Sequence, residues 1–233
     1  MWGRGRRARA RARAVELDAV RVLLEEDATY LGEQVQRLQH EIAGQALEAD
    51  MQNSFQKAAD AVEAAHRGAS QASSADEVRT VTAGISSGHH AVACVQARLA
   101  GRAVPQQRVM CFFNPLHGPS TADVLWTRPG YGPRRVPACS QDAASVGAKR
   151  APEIRMVQVG ARTTPYWTAG GAFSAYTEGY FASATVLEWA YHPAVSDAAA
   201  GTGDSGSFGT GVVGSSGHFD GGGFDGSGAG GGI

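Results

Sequence analysis

A chain of 233 residues can form one large domain or two small ones, and its 18% charged fraction is low for a globular protein. No run approaches the roughly 18 apolar residues that a membrane-spanning helix needs. No apolar stretch follows the basic start either, so no secretory signal is expected, and the expected location is cytoplasmic or peripheral to a membrane. The net charge of −1 conceals an asymmetry: residues 4–13 carry six arginines and no acid, whereas residues 15–99 carry thirteen acids against six Lys or Arg.

Residues 1–14, MWGRGRRARARARA, combine mutual arginine repulsion with few apolar side chains, which predicts a disordered basic arm. Arg4, Arg6, Arg7, Arg9, Arg11 and Arg13 are its candidate contacts to an anionic surface, either lipid phosphates or nucleic acid. The bland alternative is a tail with no role.

From Val15 the pattern turns helical. Leu17, Val20, Leu24, Ala28, Leu31, Val35, Leu38 and Ile42 step by three or four residues and draw one apolar stripe close to coiled-coil spacing. A weaker, alanine-rich stripe runs on through Met51, Phe55, Ala58, Val62 and Ala65, with a break expected near Gly44. Ser74 and Glu77 form a capping box that starts the next helix, which carries Val78, Val81, Ile85, Val92, Val95 and Leu99. Residues 15–104 are therefore expected to form an antiparallel helical hairpin or bundle, with self-association or a protein partner along its apolar face. Adjacent His89 and His90 point about 100° apart on a helix and do not share an ion easily.

Residues 105–180 change grammar to short strands and turns. Val109–Phe113, Asp123–Thr127, Arg134–Ala138, Ile154–Val159 and Arg162–Trp167 read as about five strands of one small sheet, with a short helix over Ser140–Val146. Residues 181–195 read as an apolar docking segment, too short to span a bilayer. Glycine fills 15 of the last 33 positions, so residues 196–233 are expected to be disordered. The fold class expected is α+β.

The densest chemistry lies in Cys111-x5-His117 and Cys139-x2-Asp142, two pairs on turns separated by a hairpin. Two thiolates, an imidazole and a carboxylate suit a structural zinc ion. Two buried thiols or one disulfide are the alternatives. A cysteine nucleophile would need a positioned histidine and an orienting acid, and no local signature puts either cysteine at a helix N-terminus or in a cleft. Gly84-Ile85-Ser86-Ser87-Gly88 matches a nucleophile elbow formally but lies in a helical pattern, and Gly203–Gly206 is a compositional match in the tail. The aromatics Tyr166, Trp167, Phe173, Tyr176, Tyr180 and Phe181 fit a core better than a peptide groove.

The segments CFFNPLHG, RRVPAC and TTPYW, the helix ending ACVQARLAGRAVP and the Gly/Phe/Asp tail together resemble a group of uncharacterised actinobacterial proteins, over residues 15–180 and loosely at the tail. Many of that group look membrane-anchored, with an extracytoplasmic part and a span ahead of a coiled-coil-like region and this cysteine module. The resemblance implies architecture and no reaction; Met1–Ala14 stands where such a span would end. The function expected is a non-enzymatic interaction or scaffolding protein beside a membrane. The alternative is a zinc-stabilised module that binds nucleic acid or protein through its Arg-rich arm, and a cysteine-dependent enzyme is the remote third.

Overall fold

A computed structural model describes Trp2–Arg128 and Gly132–Phe181. Three long helices come first: α1 (Trp2–Ile42), α2 (Ala49–Gln71) and α3 (Ala75–Leu99). A hairpin of β1 (Ala122–Thr127) and β2 (Pro133–Ala138) follows, then α4 (Ser140–Gly147), a second hairpin of β3 (Met156–Val159) and β4 (Arg162–Pro165), and finally α5 (Gly171–Tyr180). The fold class is α+β.

The stripe on α1 faces the core as its spacing requires: Val20, Leu24, Ala28, Leu31, Val35, Leu38 and Ile42 are all buried. The chain breaks after Ile42, with Gly44 at a positive φ of 77°, and α2 restarts at Ala49. Its buried positions are the small Ala58, Ala65 and Ala69, which let neighbouring helices come close. Gly88 marks one such approach: a Cβ there would meet Leu31 at 2.6 Å and Ala61 at 2.9 Å, so α3 meets both α1 and α2 at a residue without a side chain. The capping box forms as expected, with Glu77 N–H donating to Ser74 Oγ at 3.3 Å and Ser74 N–H to Glu77 Oε2 at 3.1 Å.

Four features differ from a local reading of the sequence. First, residues 2–14 are continuous with α1. Alanine and arginine are strong helix formers, and the already nucleated helix from Val15 onward needs only propagation to extend backward. Second, Val109–Phe113 is not a strand. Met110 makes one isolated bridge to Pro119, while the Cys111 and Phe112 N–H groups go to Gly118 O and Pro137 O at 2.9 and 2.8 Å. Third, the strands do not share one sheet but form two separate two-stranded hairpins. Fourth, residues 171–180 are helical, and α5 packs on α3 and α1.

Two-stranded hairpins are marginal alone, so packing must hold them. One core cluster supplies it, running from the α1 stripe through Phe112, Phe113, Trp167, Phe173 and Phe181. Phe112 stacks on Trp167 with centroids 4.6 Å apart, and Phe113 meets Trp126 edge-on at 5.1 Å. The aromatic set is thus core. Among the described residues no helix is long and apolar enough to cross a membrane. Residues 182–195, most of the expected docking segment, and the whole tail over 196–233 lie outside the described residues.

Candidate metal centre

The turn after Cys111 follows from Asn114-Pro115-Leu116-His117-Gly118. Asn114 caps a single 3-10 turn over Pro115–His117 by accepting the Leu116 N–H at 3.1 Å, and proline occupies the first turn, where no N–H is needed. Gly118 ends it at a φ of 84°, a conformation that side chains strain, and this reversal presents its carbonyl to Cys111 N. His117 is thereby carried back over Cys111.

Cys139 arrives from the other side. It directly follows β2 and is the N-cap of α4, its Sγ accepting the Asp142 N–H at 3.4 Å. The sequence reading put neither cysteine at a helix N-terminus, although its short helix over Ser140–Val146 starts directly after Cys139; the structure places Cys139 there. Phe112 N to Pro137 O at 2.8 Å and Thr121 N to Ala138 O at 2.8 Å draw the two cysteine-bearing segments together.

The result is convergence of all four residues singled out from the sequence. One ligand atom from each of Cys111, His117, Cys139 and Asp142 lies within 4.8 Å of the others. Three hydrogen bonds end on one oxygen, Asp142 Oδ2: from Cys111 Sγ at 3.2 Å, Cys139 Sγ at 3.4 Å and His117 Nδ1 at 2.8 Å. The other oxygen, Oδ1, accepts the Glu153 N–H at 2.9 Å. Cys111 is fully buried and Asp142 almost so, while His117 is half-buried. None of the three cysteines is in a disulfide.

Electrostatics divide the cluster. Burial pushes the Cys111 thiol up to about 12, against N–H groups of Asn114 and Cys139 that point at its sulfur. Burial also pushes Asp142 up, but the Glu153 N–H, both thiols and His117 outweigh it and hold the carboxyl below its ordinary value. A carboxylate beside thiol protons has room for a cation in their place. Each sulfur also accepts an N–H from the residue three positions on, Asn114 for Cys111 and Asp142 for Cys139, an arrangement that favours the thiolate form.

The ring of His117 is oriented from outside. Asn114 Oδ1 is spent on Leu116 N–H, so its Nδ2 donates to His117 Nε2 at 3.2 Å and Nδ1–H faces Asp142. Glu153 Oε1 lies 3.6 Å from Nε2, placed to accept a proton there if Nδ1 takes a metal. The four residues can hold a metal ion, and among the described residues no other such group is found.

The remaining candidates do not assemble. Arg6, Arg7, Arg9, Arg11 and Arg13 are exposed along the first turns of α1, and Arg4 lies in the same helix. His89 is buried against Gln34 at 3.2 Å, whereas His90 is half-buried with Nε2 3.4 Å from Cys94 Sγ, so they share no ion. Gly84–Gly88 lies inside α3, and Gly203–Gly206 lies outside the described residues.

One cluster was missed from the sequence. Asp27 sits in the core and accepts from Arg155 Nη1, from Tyr176 OH at 2.7 Å and from Tyr180 OH at 2.6 Å. The signal was present: Asp27 lies three residues after Leu24 and four before Leu31, on the buried side of α1. Compared with family models, curated proteins and solved structures, the chain matches none.

Proposed function

We propose that this chain is a non-enzymatic interaction protein whose hairpin region is held in shape by a zinc ion bound to Cys111, His117, Cys139 and Asp142. The observation that carries the reading is the convergence of four donors from separate turns to within 4.8 Å. Two sulfurs, an imidazole and a carboxylate match zinc's borderline character better than that of calcium or magnesium, which take oxygen.

The distances support it. With zinc–sulfur bonds of about 2.3 Å and zinc–nitrogen or –oxygen bonds of about 2.1 Å, tetrahedral sulfur-to-nitrogen or sulfur-to-oxygen edges are about 3.6 Å. Cys139 to His117 is 3.6 Å, and the two sulfurs lie 3.4 and 3.2 Å from Asp142. His117 to Asp142, at 2.8 Å, is shorter than the roughly 3.4 Å edge and must widen as the shared proton leaves; Cys111 to Asp142, at 3.2 Å, must widen too, and the widest separation, up to 4.8 Å, must close on the ion.

Four protein donors in a buried site leave no position for water or substrate, which favours a structural ion over a catalytic one. The cysteine-nucleophile reading is the weaker one. The Cys111 thiol, pushed up to about 12, is a poor nucleophile at neutral pH. Cys139 lies 3.6 Å from Nδ1 of His117, but Asp142 holds the same nitrogen at 2.8 Å and competes for its proton, even though Asn114 and Glu153 stand on the opposite nitrogen where a triad keeps its orienting group.

Metal analysis of the purified chain tests this. About one zinc per chain is expected, with a tetrahedral thiolate spectrum on cobalt substitution, and both lost in Cys111→Ser and His117→Ala. A chelator should lower the melting temperature of the native chain. Metal-free protein that takes up no zinc and melts unchanged with chelator would overturn the reading.

A further inference from the structure

The first turns of α1 pose a separate problem. Every side chain from Gly5 to Val15 is exposed, and the helix carries two exposed valines seven residues apart, Val15 at 46% and Val22 at 60%. Residues seven apart lie on one helical face, and Ala8, Ala12 and the half-buried Ala19, which also packs against the chain's own core, fill the intervening coiled-coil positions of that face. Arg9 and Glu16 flank it on one side, Arg11 and Asp18 on the other. The body of the protein begins at Glu16, whose Oε2 accepts the Ala172 N–H at 3.2 Å. An arm of continuous helix cannot bend back onto its own acids, so its face over residues 5–15 is open to solvent.

We propose that the occupant is a second copy of this chain, its α1 laid antiparallel across the first. With Ala12 opposite the partner's Val15, and Ala8 opposite the partner's Ala19, the flanking positions pair Arg11 with the partner's Asp18 and Arg9 with the partner's Glu16. Twofold symmetry makes each pair occur twice. The small residues opposite each valine permit close approach, and the folded bodies fall at opposite ends of the seam. Shifting one heptad either way sets Arg11 against the partner's Arg11, or Asp18 against the partner's Asp18. A parallel pair would keep Arg11 near the partner's Glu16 but leave Asp18 facing the partner's Leu23, already buried in its own core. The charge order along this face therefore selects one register and one direction. Basic charge ahead of acidic charge on the same face makes α1 complementary to itself when reversed.

The test is sedimentation equilibrium of the full, zinc-supplemented chain with charge-swap variants. Arg11 and Asp18 are exposed and neither side chain lies in the core; Asp18 pairs with the half-buried Arg21, which also donates to Ala72 O at 2.7 Å. A dimer is expected that weakens as salt rises from about 0.05 to 0.5 M, because these pairs are solvent-exposed. Arg11→Glu and Asp18→Arg should each weaken it about tenfold or more, and the double variant R11E/D18R should restore it, since the same pairs re-form with signs exchanged. Only the antiparallel register predicts that rescue. A monomer at about 0.1 mM chain in low salt overturns the proposal, since it implies affinity weaker than any physiological dimer needs. So does a double variant as weak as its singles. Binding of the arginines to anionic vesicles or nucleic acid without self-association would assign the arm to an anionic surface instead and likewise overturn it. Circular dichroism of each variant checks that α1 is intact, and a dimer in Cys111→Ser keeps this result separate from that of the metal centre.

Discussion

Asp27→Asn would probe the buried ion pair that ties the hairpin region to the helices. Asp27 is 1% exposed and Arg155 7%, and Arg155 reaches it from the segment before β3, whose backbone also bonds to Phe113 O at 2.9 Å. Asparagine keeps the shape, so no cavity confuses the outcome. It removes the charge beside a buried guanidinium, a loss of about 3–5 kcal/mol for typical buried pairs, opposed by the burial that holds the Asp27 carboxyl above its ordinary value despite Arg155 and the two tyrosines. Arg155 keeps Glu26 at 2.9 Å, a carboxylate 58% exposed, which places the loss at the lower end. The two tyrosine hydroxyls exchange a charged acceptor for a neutral one, about 1 kcal/mol each. The total, about 4–5 kcal/mol, is a large part of the 5–15 kcal/mol that stabilises a typical domain. Urea unfolding followed by tryptophan fluorescence measures it, and the cycle with Arg155→Met should give a coupling of at least about 2 kcal/mol. A loss below about 1 kcal/mol, or strictly additive effects, would refute the claim that this pair clamps the two parts.

Burial lowers His89 from its ordinary value to about 4, so the folded chain binds this proton less tightly than the unfolded one. Its contribution, about 3 kcal/mol, is present above pH 6.5 and is lost as pH falls toward 4; His89→Gln should flatten stability over that window. Zinc uptake should displace the two thiol protons, so apparent affinity should rise up to about 100-fold per pH unit between pH 5 and 7; a slope near zero would mean that the sulfurs are not ligands. Asp142, held below its ordinary value, stabilises the metal-free fold at neutral pH and stops doing so as acid protonates it; Asp142→Asn should remove that acid-sensitive part of stability.

The sequence was most legible where one rule acted alone. Stripe spacing placed seven of its eight α1 positions in the core, leaving Leu17 half-buried, and passed over the buried Leu23 and Asp27 beside them. The capping box was read correctly because its two hydrogen bonds depend on four adjacent residues. Asp123–Thr127 and Arg134–Ala138 were legible as strands from the turn between them. The failures came where long-range bonds overrode local preference. Val109–Phe113 has strand composition, yet its N–H groups serve the turn at Gly118 and the carbonyl of Pro137. α5 was hidden because its glycines and aromatics are poor helix formers, and it is held by Tyr176 and Tyr180 bonding to Asp27, about 150 residues away in sequence.

The metal centre combines both cases. Its four residues were identifiable because the chemistry restricts which side chains bind together, and only the pairs at Cys111 and Cys139 offered that set. Their geometry was not, because it depends on where two unrelated constraints meet. Gly118 reverses the first turn so that His117 faces back, and α4 starts at Cys139 so that Asp142 returns one turn later beside its own N-cap. Neither turn contacts the other through side chains alone: the Phe112 N–H on Pro137 O fixes their separation, and Phe112 is in turn locked by Trp167 and by the Tyr166 hydroxyl on its carbonyl at 2.7 Å. The aromatic core therefore sets the distance between the sulfurs. Trp167→Ala, by loosening Phe112, should weaken zinc affinity without touching a ligand, whereas truncating a fully buried residue of α3, such as Ile85→Ala, should not; equal affinities in the two variants would show that the centre holds itself together independently of the core beneath it.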